Sequence, residues 1–243
     1  MAGANLTHAS GIYHGAAHYE NIAKNRDGRR GVELTPVYWY RYGVLGTADA
    51  DGVFAHASTL ATGASVDFTI TGALASASVA TFDAPRNFTI TLSATSDQSG
   101  VAVYVYGTDQ FGQPLKETLT TLTGGTVQGV KAFLTVSRIN ATAAFLATQT
   151  TMGMGNIIGL PVRATRIDNI LPMVDGNTVT AGAVTFVGGL TVTTAAAATG
   201  PDIRGTIYTS GVVPNASRSY AVQVLIPDNT TKEAVWGVAQ PTT

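Results

Sequence analysis

The chain has 243 residues, carries 12% charged side chains and a net charge of −1, and contains no cysteine. The charged share is about half that of an ordinary globular domain. These values exclude disulfide or thiol chemistry and a global basic field for nucleic acid, while the 45% apolar share supports a packed core.

Residues 1 to about 50 show poor periodicity. They hold His8, His14 and His18, the basic cluster Lys24-Asn25-Arg26-Asp27-Gly28-Arg29-Arg30, and the aromatic run Tyr38-Trp39-Tyr40-Arg41-Tyr42. An extended N-terminal arm is expected here. Arg26, Arg29 and Arg30 are candidates for docking to an acidic protein surface. Tyr38, Trp39, Tyr40 and Tyr42 either pack on the body or meet a partner.

From about residue 51 to the end, period-2 alternation takes over. Val66, Phe68 and Ile70 alternate with polar neighbours, as do Phe88, Ile90 and Leu92, and Val101, Val103 and Val105 alternate with Ala102, Tyr104 and Tyr106. Breaker clusters Asp83–Asn87 and Ser96–Gly100 predict turns, Asp109–Pro114 predicts a hairpin connection, and Gly124-Gly125 predicts another break. A short helix is expected over Ala141–Thr151. Pro161 and Pro172 suit edge strands or crossings between sheets. Two strands are expected around Gly188-Gly189, with final strands at Ile203–Thr209, Tyr220–Ile226 and Ala234–Val238. Short strands at close spacing predict an all-β antiparallel sandwich or jelly roll, residues 51–243, behind the arm.

Chemical motifs are sparse. His14-x-x-x-His18 has the spacing of two ligands on a helical turn, but Gly15 stands where a hydrolytic zinc motif needs Glu. No Gly-x-Ser-x-Gly elbow exists, and His56 is the only histidine outside the arm. Asp49 and Asp51 are two carboxylates where a calcium loop needs six or more oxygens. Met152-Gly-Met-Gly-Asn156 lacks the lysine of a phosphate loop. The expectation is therefore no catalytic residue, no metal and no cofactor. Nor is a nucleic-acid or membrane partner expected, since the chain has no global basic field and no apolar run of membrane-spanning length.

Phe133 is expected to point into the core. Lys131, on the same face, is expected at the sheet margin with its charge in water, where it could form a weak surface pair with Glu117.

Four segments carry a resemblance: Gly107-Thr-Asp-Gln-Phe-Gly-Gln-Pro-Leu-Lys-Glu-Thr-Leu119, Gly129-Val-Lys-Ala-Phe-Leu-Thr-Val136, Gly159-Leu-Pro-Val-Arg163 and Asp202-Ile-Arg-Gly-Thr206. Together they resemble the tailed-phage capsid decoration (cement) proteins. That resemblance implies a non-enzymatic virion subunit made in the host cytoplasm and mounted on the capsid exterior. Its partners would be the major capsid protein and itself, as a dimer or trimer. Similar segments occur in tail proteins, so the alternative is a tail or receptor-binding protein that recognises host glycans, with Tyr104 and Tyr106 or the arm aromatics as platforms.

Overall fold

The computed structural model describes residues 37–55, 65–97, 99–121, 123–143, 150–189 and 198–225. Among the described residues there are fourteen strands, two 3₁₀ turns and no α-helix. The strands are β1 (Val37–Val44), β2 (Asp49–Phe54), β3 (Val66–Phe68), β4 (Ala75–Ser76), β5 (Val79–Asp97), β6 (Ala102–Thr108) and β7 (Pro114–Thr120), then β8 (Thr123–Ala141), β9 (Thr150–Gly159), β10 (Ile170–Val174), β11 (Asn177–Thr178), β12 (Val184–Gly188), β13 (Gly205–Thr209) and β14 (Ser219–Leu225).

The all-β antiparallel architecture agrees with the alternation in the sequence. A large sheet runs β12-β13-β9-β5-β8-β6-β7, with β2, β3 and β4 added along it, and a small sheet runs β1-β14-β10-β11. The 19-residue β8 serves two neighbourhoods. Its first part pairs with β5, and its last residues, including Ile139–Ala141, lie between β6 and β3. The large sheet thereby curls around a core that includes Phe68, Phe82, Phe88, Ile90, Val105, Phe133 and Met152. A second core lies under the small sheet, where Ile170, Tyr220, Val222 and Val224 meet Ile158, Leu160, Val162 and Ile207. Burying such side chains supplies the main drive to fold.

Several expectations change. Residues 37–50, placed in the arm on sequence, form β1 and the start of β2. The cluster Asp83–Asn87 is no turn: it lies inside β5, whose register slips between Thr81 and Arg86 and so accommodates Pro85. Asp109–Pro114 does connect a hairpin, β6 to β7. Ala141 ends β8 and Thr150 begins β9, so the ends of the expected helix are strand, and residues 144–149 lie outside the described residues. The expected strand at Ala234–Val238 lies outside them too. No helix among the described residues is long and apolar enough to cross a membrane.

Candidate functional site

The four segments singled out on sequence meet in one buried polar network. It begins with a wide bulge in β8. Asn87 pairs with Ala132 and Thr89 with Gln128, so Phe88 alone stands opposite residues 129–131. A bulge of this kind takes backbone N–H groups out of the ladder, and each needs another acceptor. Two carboxylates supply it. Glu117 Oε1 accepts from the N–H groups of Val130 at 2.6 Å and Lys131 at 3.2 Å, and Asp202 Oδ2 accepts from Ala132 N at 3.1 Å. Gly129 makes room for this: a Cβ there would stand 2.4 Å from Glu117 Oε2.

The second half of the network secures the β6–β7 connection. Asp109 Oδ1 accepts from Phe111 N and Gln113 N, which fixes the turn. Its Oδ2 accepts from Arg204 Nη1 at 2.6 Å, with both side chains 3% exposed. The Arg204 guanidinium also lies 4.6 Å from the centre of the Phe111 ring. Gln110 Nε2 donates to Leu160 O, and Asp202 Oδ1 accepts from Arg204 N.

Lys131 is fully buried, which corrects the expectation of a solvated lysine at the sheet margin. Glu117, at 1% exposed, is buried with it, so no surface pair forms. Among the described residues Lys131 Nζ has no hydrogen-bond partner, and it sits in the field of Asp202 and Glu117. Burial draws the Lys131 ammonium below its ordinary pKa, and these two carboxylates oppose that shift. Burial pushes Glu117 up to about 7 and raises Asp202 as well, against the backbone hydrogen bonds that favour their charged forms. Phe133, on the same strand, is fully buried as expected.

Another buried cation, Arg86, was missed on sequence. Arg86 Nη1 donates to Gly46 O, to Asp83 and to Met154 Sδ, and Nη2 donates to Asn156 Oδ1. Neighbouring Asn87 accepts from Ile157 N. A Pro-Arg-Asn string among turn formers gave no sign of a buried strand.

The aromatic run divides between two faces of β1. Tyr40 and Tyr42 pack against the second core with their rings 4.8 Å apart, and the Tyr42 hydroxyl donates to Gly159 O at 2.6 Å. Trp39 and Arg41 are exposed on the other face, with the guanidinium 4.8 Å from the indole centre. Cross-strand rows extend this outer face: Trp39–Gln223–Leu171 and Arg41–Ala221–Met173. Tyr38 is Cα partner of Val224. Arg26, Arg29 and Arg30 lie outside the described residues, as do all four histidines.

On the outer face of the large sheet, Tyr104 and Tyr106 carry cations over their own rings. Lys116 Nζ lies 4.7 Å and 5.3 Å from the two centres, and Arg138 lies 5.5 Å from that of Tyr106. Among the described residues no three His, Cys, Asp or Glu side chains gather to hold a metal ion. No family model matches the chain, and no curated protein or solved structure matches it.

Proposed function

We propose that the chain is a non-enzymatic structural virion protein, a jelly-roll-like decoration (cement) subunit on the outside of a phage head that bridges major capsid protein subunits. One observation carries this reading. Four charged groups of the resembling segments hold strands together: Glu117 and Asp202 on the β8 bulge, and Asp109 with Arg204. Groups committed in this way serve a rigid scaffold, as adhesion requires. The non-sequential order of the large sheet, with β8 between β5 and β6, is in keeping with a jelly-roll-like sandwich.

Val37 and Leu225 are Cα partners. The chain leading to β1, with Arg26, Arg29 and Arg30, therefore joins the body at the same corner as the chain leaving β14. We assign shell contact to this corner and the basic cluster. A subunit that binds only the assembled shell stabilises it by mass action. Undecorated heads incubated with the protein should retain it on sedimentation and resist heat, and a variant lacking residues 1–35 should keep its β circular dichroism but lose the heads. Heads that neither retain the protein nor gain stability would defeat the reading.

The glycan-binding tail alternative gains little from Tyr104 and Tyr106, because their own Lys116 and Arg138 lie over the rings a sugar would stack on.

A further inference from the structure

The outer face of the small sheet carries a projection and a hollow side by side. The projection is Trp39, 37% exposed on β1, with Leu171, 42% exposed, on β10 at the other end of its row. The hollow, about 390 Å³, lies against Trp39 and is lined by Arg41, Gly43, Met173, Gly176, Ser219 and Ala221. The hollow is open at its two glycines: Gly43 and Gly176 have positive φ, +82° and +76°, and a Cβ at either would meet nothing within 4 Å. An exposed tryptophan next to Met173, on a sheet face that also exposes Leu171, is costly to leave in water and is a side-chain type enriched at the energetic centre of interfaces.

A projection beside a hollow on one face is complementary to itself. A twofold rotation brings the Trp39 of each copy over the hollow of the other, because in an isologous contact residue i meets j and j meets i. The hollow suits this guest chemically. Its wall holds Arg41, whose guanidinium already lies over an indole within the chain, and a second indole would find the same cation with Met173 and Ala221 as an apolar floor. Gln223, Ser219 and Arg41 leave a polar rim.

From this we infer that the outer face of the small sheet is a self-association surface, on which two copies form an isologous dimer with each Trp39 seated in the partner's Arg41–Met173–Ala221 hollow. The inference deepens the homo-oligomer element of the decoration-protein reading by giving the partner and the face, and it leaves the shell-binding corner to the terminal segments.

Sedimentation velocity and light scattering on the full chain over a micromolar concentration series test this. The wild type should be dimeric. Trp39→Ala removes the projection, and Ala221→Glu fills the hollow with a charge; each should weaken dimerisation by more than about tenfold with unchanged circular dichroism. Lys116→Ala, on the other sheet, should leave the dimer intact. A monomeric wild type overturns the inference, as does a dimer untouched by both substitutions. Sedimentation with heads separates the two readings. A monomer that still binds heads sinks the dimer and leaves the decoration function standing, whereas a Trp39-dependent dimer that ignores heads does the reverse.

Discussion

Asp109 and Arg204, 95 residues apart in sequence, share a 2.6 Å hydrogen-bonded ion pair that is almost wholly out of water. The carboxylate also holds two turn amides, so one side chain ties the β6–β7 connection to the chain entering β13. Removing one partner of a buried pair strands the other charge. Asp109→Ala should therefore cost about 3–5 kcal/mol in denaturant unfolding. Asp109→Asn keeps an oxygen for Phe111 N and Gln113 N and should cost less. No loss for Asp109→Asn would show that the charge contributes nothing, and equal losses for the two variants would show that the turn hydrogen bonds add nothing beyond it.

Phe133 fills the centre of the curled sheet. Phe133→Ala should lower stability by about 3–5 kcal/mol, the range for emptying a buried aromatic site. Against a typical total of about 5–15 kcal/mol, that appears as a large fall in melting temperature. A loss under about 1 kcal/mol would contradict its buried position.

Glu117 gives stability a pH dependence of definite sign. Its folded pKa, about 7, lies above the ordinary 4.5, so between these values the folded chain holds a proton that the unfolded chain has released. Its contribution is fully present below about pH 4.5 and is lost as pH rises through about 7, on the order of 3 kcal/mol across the window. Glu117→Gln keeps an acceptor for Val130 N and Lys131 N but cannot titrate. The difference in unfolding free energy between wild type and variant should slope over that window, and a flat difference would refute the assignment.

Gly129 is the space that Glu117 needs. In Gly129→Ala the new Cβ would stand 2.4 Å from Glu117 Oε2 and 3.0 Å from Phe88 O, and Glu117 is held by two backbone hydrogen bonds and cannot swing away freely. A destabilisation of about 1–3 kcal/mol is expected, the usual cost of overpacking, and calorimetry would read it as a lower melting temperature.

Alternation at Phe88-Ile90-Leu92 and Val101-Val103-Val105 made the β class legible, because a half-buried strand must repeat every second residue. Alternation is ambiguous at Phe133, whose face Lys131 shares, and what places Phe133 inside is its size at mid-strand in a charge-poor chain. Lys131 was misplaced, because a lysine on a core face reads as a marginal residue until carboxylates from other strands are known to reach its neighbours' amides. Asp202 reaches Ala132 across 70 residues of chain, and no local pattern encodes that. The β5 segment Asp83–Asn87 misled for a related reason: Arg86 is buried because Gly46, Met154 and Asn156 converge on it, while Asp83 stays at the surface. Within the candidate interface, Trp39 was visible as part of an aromatic run. Its separation from Tyr40 and Tyr42 onto opposite faces needed the strand assignment, and Leu171 and Met173 needed the pairing of β10 with β14.

The adjacency of Val37 and Leu225 also fixes how the body bears mechanical load. Tension applied between the segment before β1 and the segment after β14 acts across the strands at one end of their ladder, so the β1–β14 hydrogen bonds open one after another, as in a zipper, at low force. Tension applied between the β1 end and the large sheet acts instead on the second core, where Tyr220, Val222 and Val224 of β14 pack with Ile158, Leu160, Val162 and Ile207 as one cluster. A subunit gripped by one terminus and braced through its body would thus resist pulling far better than one held by both termini, and single-molecule stretching in the two geometries would separate the forces.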